Sequence, residues 1–229
     1  MRNAADYIPW WRIDFCEEDI KTIAESIRNE NISMGSVTEH FERQLAEALE
    51  VPYVVATTSG SVALLMALMA CGIRNGDEVI IPNRTWIATA HAPLILGAKP
   101  VIVDVLPDRP VMDTALIRGK INSRTKAIIP LPLCGCAVNM DEVWEIARDY
   151  VLVVLEDAAQ GLFSKYQNKF MGTQSDVGCF SMSLGKLVST GQGGFVTTRK
   201  KNLYQRMKLI RTHGVENVTA ASPFLEMGF

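Results

Sequence analysis

From residue 52 onward the chain alternates short, β-rich apolar runs with helix-forming segments, and this alternation narrows its architecture more than any other feature. Seven runs read as strands: "YVVATT", "EVIIP", "PVIVDV", "KAIIPLPL", "VLVVLED", "VGCFSM" and "GFVTT". Most are apolar at successive rather than alternate positions, as strands covered on both faces require. Between the first five lie "SVALLMALMACG", "TWIATAHAPLILG", "DTALIRGKINSR" and "MDEVWEIARDY", each read as a helix and punctuated by Gly, Pro and Asn. The pattern predicts an α/β domain around a central, mostly parallel sheet.

Ahead of this region, "EEDIKTIAESIRN" and "VTEHFERQLAEALE" read as two amphipathic helices of an N-terminal arm, parted by "ENISMGS". After the last strand, "KKNLYQRMKLIRTHG" reads as another helix. The expected division is therefore an arm over 1–50, a large domain over 51–215 and the start of a connection over 216–229.

With 229 residues, 48% of them hydrophobic, the chain has ample material for a sizeable core. Its 23 basic and 25 acidic residues leave a net charge of -2, with no basic field for nucleic acid or an anionic membrane, so small-molecule or protein partners are expected. The N-terminus has no continuous apolar leader, and no stretch reaches the roughly 18 apolar residues of a membrane span. The reading is of a soluble, cytoplasmic protein. Five cysteines, Cys16, Cys71, Cys134, Cys136 and Cys179, form no even framework and read as reduced thiols. Cys134 and Cys136 lack further ligands for zinc and read as packing residues, so no metal is expected.

Three places could carry chemistry. The first strand runs through "TTSGS" into an apolar helix, so the amides around Gly60 and Ser61 would point from a helix N-terminus and could bind phosphate; an ordinary serine N-cap explains the same word. Asp157 ends "VLVVLED", where ligands bind in open α/β sheets, and could pair with a cationic ring nitrogen or simply cap a following helix. Lys186 follows "VGCFSM" among small residues, where partial desolvation would make its amine nucleophilic toward an aldehyde, although most loop lysines are solvated charges. A phosphate seat, a ring-nitrogen acid and an imine-forming lysine are the parts a pyridoxal phosphate enzyme must supply.

The words "TTSGSVALLMAL", "GDEVIIPNRTWIATAHAPLILGAKPVIVDV", "LEDAAQ" and "CFSMSLGKLVSTGQGGFVTT" resemble the DegT/DnrJ-type sugar aminotransferases, a branch of the fold-type I pyridoxal phosphate enzymes. The resemblance implies a three-layer large domain with a mostly parallel, roughly seven-stranded sheet. It makes Lys186 the Schiff-base lysine and proton shuttle, and Asp157 the partner of the pyridine nitrogen. Gln160 would contact the ring hydroxyl, Gly60, Ser61 and Ser181 the phosphate, and Trp86 would stack on the ring. It further implies pyridoxal 5'-phosphate as cofactor, glutamate as amino donor and a nucleotide-linked keto sugar as acceptor, in a homodimer or with a complementing chain.

This chain departs from the family pattern at several positions. It has Leu162 and Phe163 where His-Gly is common, Ser61 where threonine is usual, and Gln192 where an acidic residue is commoner. Family members generally continue into a C-terminal small domain that closes the substrate site, and the resemblance implies that domain beyond Phe229. The competing expectation is a non-catalytic module that keeps the fold and assembles with itself or another chain. His213 in "RTHGV" matches a family word, and a histidine at a helix end is an equal alternative. Trp10 and Trp11 read as anchors of the N-terminal arm rather than as walls of a substrate cleft.

Overall fold

The computed structural model describes residues 11–215. Trp10 and the connection expected over 216–229 lie outside the described residues.

Two helices come first, α1 (Glu17–Arg28) and α2 (Ser36–Ala48). The α/β region follows as β1 (Tyr53–Thr57), α3 (Gly60–Ala70), β2 (Glu78–Pro82), α4 (Ala88–Ile95), β3 (Lys99–Val103), β4 (Thr125–Ile128), α5 (Met140–Tyr150) and β5 (Val153–Asp157). A short ribbon of β6 (Lys165–Tyr166) and β7 (Lys169–Phe170) precedes β8 (Val177–Ser181), β9 (Gly194–Thr198) and α6 (Lys201–Arg211).

All seven expected strands join one sheet in the order β1-β9-β8-β5-β4-β2-β3. Only β9 runs antiparallel to its neighbours, pairing with β1 and β8, while the remaining pairs are parallel. The exception follows from its connection: β8 reaches β9 through the loop 182–193, whereas parallel neighbours need a crossover that returns the chain to its starting end. That loop carries Lys186.

Successive apolar residues on each strand supply the two buried faces the sequence anticipates. Val55, Ile81, Ile129, Leu155, Cys179 and Val196 pack with α3, α4 and α6, whereas Ile80, Ile128 and Val154 face α5. Val54, Phe180 and Phe195 extend the second face beneath α2. The Phe180 and Phe195 rings, opposite each other in register, stack with centroids 4.4 Å apart, a pairing that adds about 0.5–1.5 kcal/mol beyond burial. The result is three layers, helices on both sides of a sheet.

The segment "DTALIRGKINSR" does not form the expected helix. It folds as two single 3-10 turns, Thr114–Leu116 and Arg118–Lys120. Polar side chains draw it away from the α-helical ladder: the Asp113 carboxylate accepts the Ala115 N–H at 3.1 Å, and Asn122 and Arg124 both donate to the Glu78 carboxylate at 2.7 Å. Gly119 weakens a helix there by about 1 kcal/mol relative to alanine.

α2 is tied to the sheet by Glu42, whose carboxylate accepts the Ala56 N–H at 2.8 Å and pairs with Arg211 of α6. By contrast α1 has a strongly amphipathic sequence and no buried residue; Ile20, Ile23 and Ile27 on its apolar side are exposed. Among the described residues no helix is long and apolar enough to cross a membrane.

Candidate functional site

Parallel pairing sets the carboxyl ends of β5 and β8 side by side, with Asp157 in register with Cys179. Asp157 is the last residue of β5 and is buried. One of its oxygens accepts a 2.6 Å hydrogen bond from the Thr89 hydroxyl, the other the Ala159 N–H at 3.3 Å. No helix follows it directly, so the capping alternative does not apply. Burial pushes its carboxyl above the ordinary range; the Thr89 and Ala159 donors and the positive charge of Lys186 pull the other way.

Lys186 lies half-buried in the β8–β9 loop, its N–H donating to the Ser183 carbonyl at 3.1 Å in a tight turn. Burial lowers its ammonium below the usual lysine range, with Asp157 partly opposing the effect. Acid and amine therefore lie within electrostatic reach of each other, in surroundings that favour the uncharged form of each.

Beside them, α3 begins at Gly60. Its N-cap Ser59 accepts the Val62 N–H at 3.2 Å, so the serine-cap reading of "TTSGS" holds for Ser59. The amides of Gly60 and Ser61 stand in the first turn, where no intrahelical acceptor exists. Gly60 is pressed against the end of β8: a Cβ there would lie 2.6 Å from Ser181 Cβ. On the other side, a Cβ at Gly194 would lie 2.6 Å from the Ser59 carbonyl carbon. Two positions without side chains thus let a helix start settle onto the strand ends. The Ser181 hydroxyl lies 3.1 Å from that of Ser183.

Gln160 is exposed, and its Oε1 accepts the Cys134 N–H at 2.8 Å. Cys134 is itself exposed, contrary to the packing role expected of it, because it occupies a left-handed turn with φ 54°. Trp86 is 73% exposed. Its carbonyl accepts the Thr89 N–H at 3.1 Å, which puts the tryptophan one turn from the hydroxyl that holds Asp157. Neither Trp86 nor Gln160 hydrogen-bonds to Lys186 or Asp157 among the described residues. Phe163, where the family pattern commonly has glycine, adopts φ 61° and sets its ring edge-on to Phe170 at 6.1 Å.

Sequence reasoning missed Thr89. It is fully buried and its hydroxyl lies 2.6 Å from that of Thr85, so Thr85, Thr89 and Asp157 form one chain of polar groups. The signal was available as two threonines four apart at the start of an apolar helix, a spacing that puts both on one face.

A covered α/β sheet with a buried acid, a desolvated lysine and a helix start gathered at its strand ends is a three-layer α/β architecture with its polar groups collected at one edge of the sheet. The chain matches the DegT/DnrJ/EryC1/StrS aminotransferase family over residues 14–227, and it belongs to that family. It is 39% identical to GDP-perosamine synthase of Caulobacter vibrioides over 184 residues, covering 80% of this chain and 50% of the relative. It is 33% identical to UDP-4-amino-4-deoxy-L-arabinose--oxoglutarate aminotransferase of Shewanella sediminis, covering 92% and 54%. Among solved structures, a putative sugar aminotransferase of Streptococcus pneumoniae in its PLP form superposes with a TM-score of 0.89 at 27% identity, covering 96% of this chain and 61% of that one. The chain spans about half the length of the curated relatives it matches.

Proposed function

We propose that this chain is the cofactor-holding part of a pyridoxal 5'-phosphate-dependent aminotransferase that moves an amino group, supplied by glutamate, onto the keto group of a nucleotide-linked sugar. The observation that carries the reading is that half-buried Lys186, in the loop after β8, and buried Asp157, at the end of the neighbouring strand β5, lie close enough for each to act on the other's charge. Two relatives, a GDP-perosamine synthase and a UDP-4-amino-4-deoxy-L-arabinose--oxoglutarate aminotransferase, support the acceptor class. In this reading residues 51–215 form the cofactor unit, residues 1–50 an N-terminal arm and residues 216–229 the start of a connection.

The residues present fit the cofactor. Gly60 lets the Ser181 side chain sit against the start of α3, so the first amides of the helix and the hydroxyls of Ser61 and Ser181 together suit a phosphate dianion. Asp157 suits the ring nitrogen, because a cation there would restore the charged carboxylate that burial otherwise disfavours. Gln160 would reach the ring hydroxyl; with Oε1 committed to Cys134, its Nε2 is the group left to donate. Trp86 would cover the ring face.

Bound pyridoxal phosphate would supply an aldehyde for the amino nitrogen and a ring able to accept an electron pair. The chain's own part is to hold and move protons. Lys186, with its ammonium destabilised by burial, takes a proton at Nζ more weakly than a solvated lysine and returns it more readily. Asp157 would be held ionised by a ring cation, and the Thr89 hydroxyl fixes one oxygen of its carboxylate. The exposed apolar residues of α1, and Trp86, Ile87, Leu94 and Ile95 around α4, favour association with a second copy or a complementing chain.

The test is to add pyridoxal phosphate to the purified chain, reduce with borohydride and locate the adduct by mass spectrometry, with Lys186→Ala as control. A long-wavelength absorption band and an adduct on Lys186, both lost in the variant, are expected. Folded protein that gives no adduct would overturn the reading and leave the non-catalytic module.

A further inference from the structure

The turn that carries Lys186 is closed mostly by its own backbone. Lys186 N–H meets the Ser183 carbonyl at 3.1 Å, Leu184 N–H the Gly191 carbonyl at 3.3 Å, and Thr190 N–H the Met182 carbonyl at 2.9 Å. Its apolar side chains Leu184 and Leu187 point to solvent, 54% and 76% exposed. Yet burial is the main influence on the lysine amine. A residue remote in sequence lies beside this turn. Gly185 adopts φ +83°, and a methyl built on it would lie 3.5 Å from both Cγ and Cδ1 of Trp11. The indole therefore stands beside the open face of Gly185, the residue immediately before Lys186, with room for a methyl between them.

We propose that Trp11 is a positioning residue for Lys186: its indole, seated on Gly185, braces the lysine turn and shields it from water on the side of the N-terminal segment. This inference rests on the reading of Lys186 as the reactive amine. It extends the expectation that Trp11 only anchors the arm, since the surface it sits on is the lysine turn itself. Gly185 takes part twice. Its positive φ favours glycine, and the face its missing Cβ leaves open is the one turned toward the indole.

The groups that bear on the amine are few, which makes the effect separable. Asp157, from the end of β5, is the charged group facing it; Ser181 and Ser183, from the end of β8, are neutral hydroxyls, and Trp11 carries no charge. Loss of the indole weakens the burial that disfavours the ammonium and leaves Asp157, which favours it, so the balance moves toward the protonated amine.

The experiment is competitive reductive methylation of the cofactor-free chain across pH 6 to 11, read at Lys186 by mass spectrometry and normalised to the high-pH plateau, for the parent, Trp11→Ala and Trp11→Phe. The expected result is a midpoint in Trp11→Ala at least half a pH unit above the parent, about a threefold smaller share of free amine a unit or more below the midpoint. Trp11→Phe, which keeps an aromatic ring on Gly185, should stay close to the parent. If Trp11→Ala does not fold, Trp11→Gln is read in the same way. An unmoved midpoint in a folded Trp11→Ala or Trp11→Gln chain overturns the proposal. Borohydride fixation of pyridoxal phosphate on Lys186 of the parent separates the two ideas: an adduct with no midpoint shift sinks the role of Trp11 alone, whereas no adduct sinks the reading beneath it.

Discussion

The hydroxyl of Thr89 donates a 2.6 Å hydrogen bond to the Asp157 carboxylate, fastening the first turn of α4 to the end of β5 across 68 residues of sequence. Both partners are buried, so the bond is unscreened by water. Replacing Thr89 by valine keeps the shape and removes the donor. We expect a loss of about 1–3 kcal/mol in stability, the usual penalty for a buried acceptor left short of a partner. We also expect weaker retention of pyridoxal phosphate, because Asp157 then favours its neutral form. Thermal unfolding and a cofactor titration measure the two effects, and an unchanged cofactor affinity would show that Thr89 supports the fold alone.

The contact between Gly60 and Ser181 leads to a double-mutant test. A Cβ at Gly60 would sit 2.6 Å from Ser181 Cβ and 3.2 Å from Ser181 Cα, closer than atoms in a packed interior tolerate. Gly60→Ala should destabilise the chain by about 1–3 kcal/mol and displace the start of α3. Ser181→Gly alone should be milder. Combined, the two should recover part of the loss, a coupling of about 0.5 kcal/mol or more in chemical denaturation. Strict additivity would mean that the helix start is not held by this contact.

Glu156 points to the opposite side of β5 from Asp157, where the Ser175 hydroxyl donates to it at 3.1 Å. Burial raises its carboxyl to about 7, with hydrogen bonds from Gly172 and Ser175 opposing. Since the unfolded value is about 4.3, the folded chain binds the extra proton between these limits. The stability Glu156 contributes is therefore fully present below about pH 4.3 and is lost as pH rises through about 7. Glu156→Gln should flatten the fall in melting temperature between pH 5 and 8. An equal slope in parent and variant would remove Glu156 from the account.

Arg211 and Glu42 form an ion pair with side chains only 16% and 9% exposed. The pair joins α6 to α2, and Glu42 also holds the Ala56 N–H of β1 at 2.8 Å. Arg211→Met leaves the carboxylate without its cation and should cost about 3–5 kcal/mol. Arg211→Met combined with Glu42→Gln should cost less than Arg211→Met alone, because the stranded charge has gone. Urea unfolding of the parent and the two variants checks the ordering.

Much of the architecture was legible because burial on both faces of a parallel sheet leaves its mark on successive residues. Pairs such as Val54–Val55, Ile80–Ile81 and Val154–Leu155 divide between opposite layers, and each appears in sequence as an unbroken apolar run. The 3-10 turns over Thr114–Lys120 were not legible, since the residue that draws Asn122 and Arg124 away is Glu78, on another strand. Lys186, Asp157 and Gly60 stood out by residue type and by position at strand ends. Thr89 and Trp11 did not, because a buried threonine and an exposed tryptophan look ordinary until their partners are known.

The sequence by itself determined the covered sheet, its seven strands and the membership of "TTSGS", "LEDAAQ" and the Lys186 segment in one family of sites, because hydrophobic period and backbone preference act over short stretches. Only the tertiary structure decided which groups meet. Strand order brought Asp157 beside the β8 end, helix packing set Thr89 on its carboxylate, and the return of the N-terminal segment laid Trp11 on Gly185. These are contacts between residues dozens to nearly two hundred positions apart. Their geometry depends on the closed path of the whole chain, which no local pattern encodes.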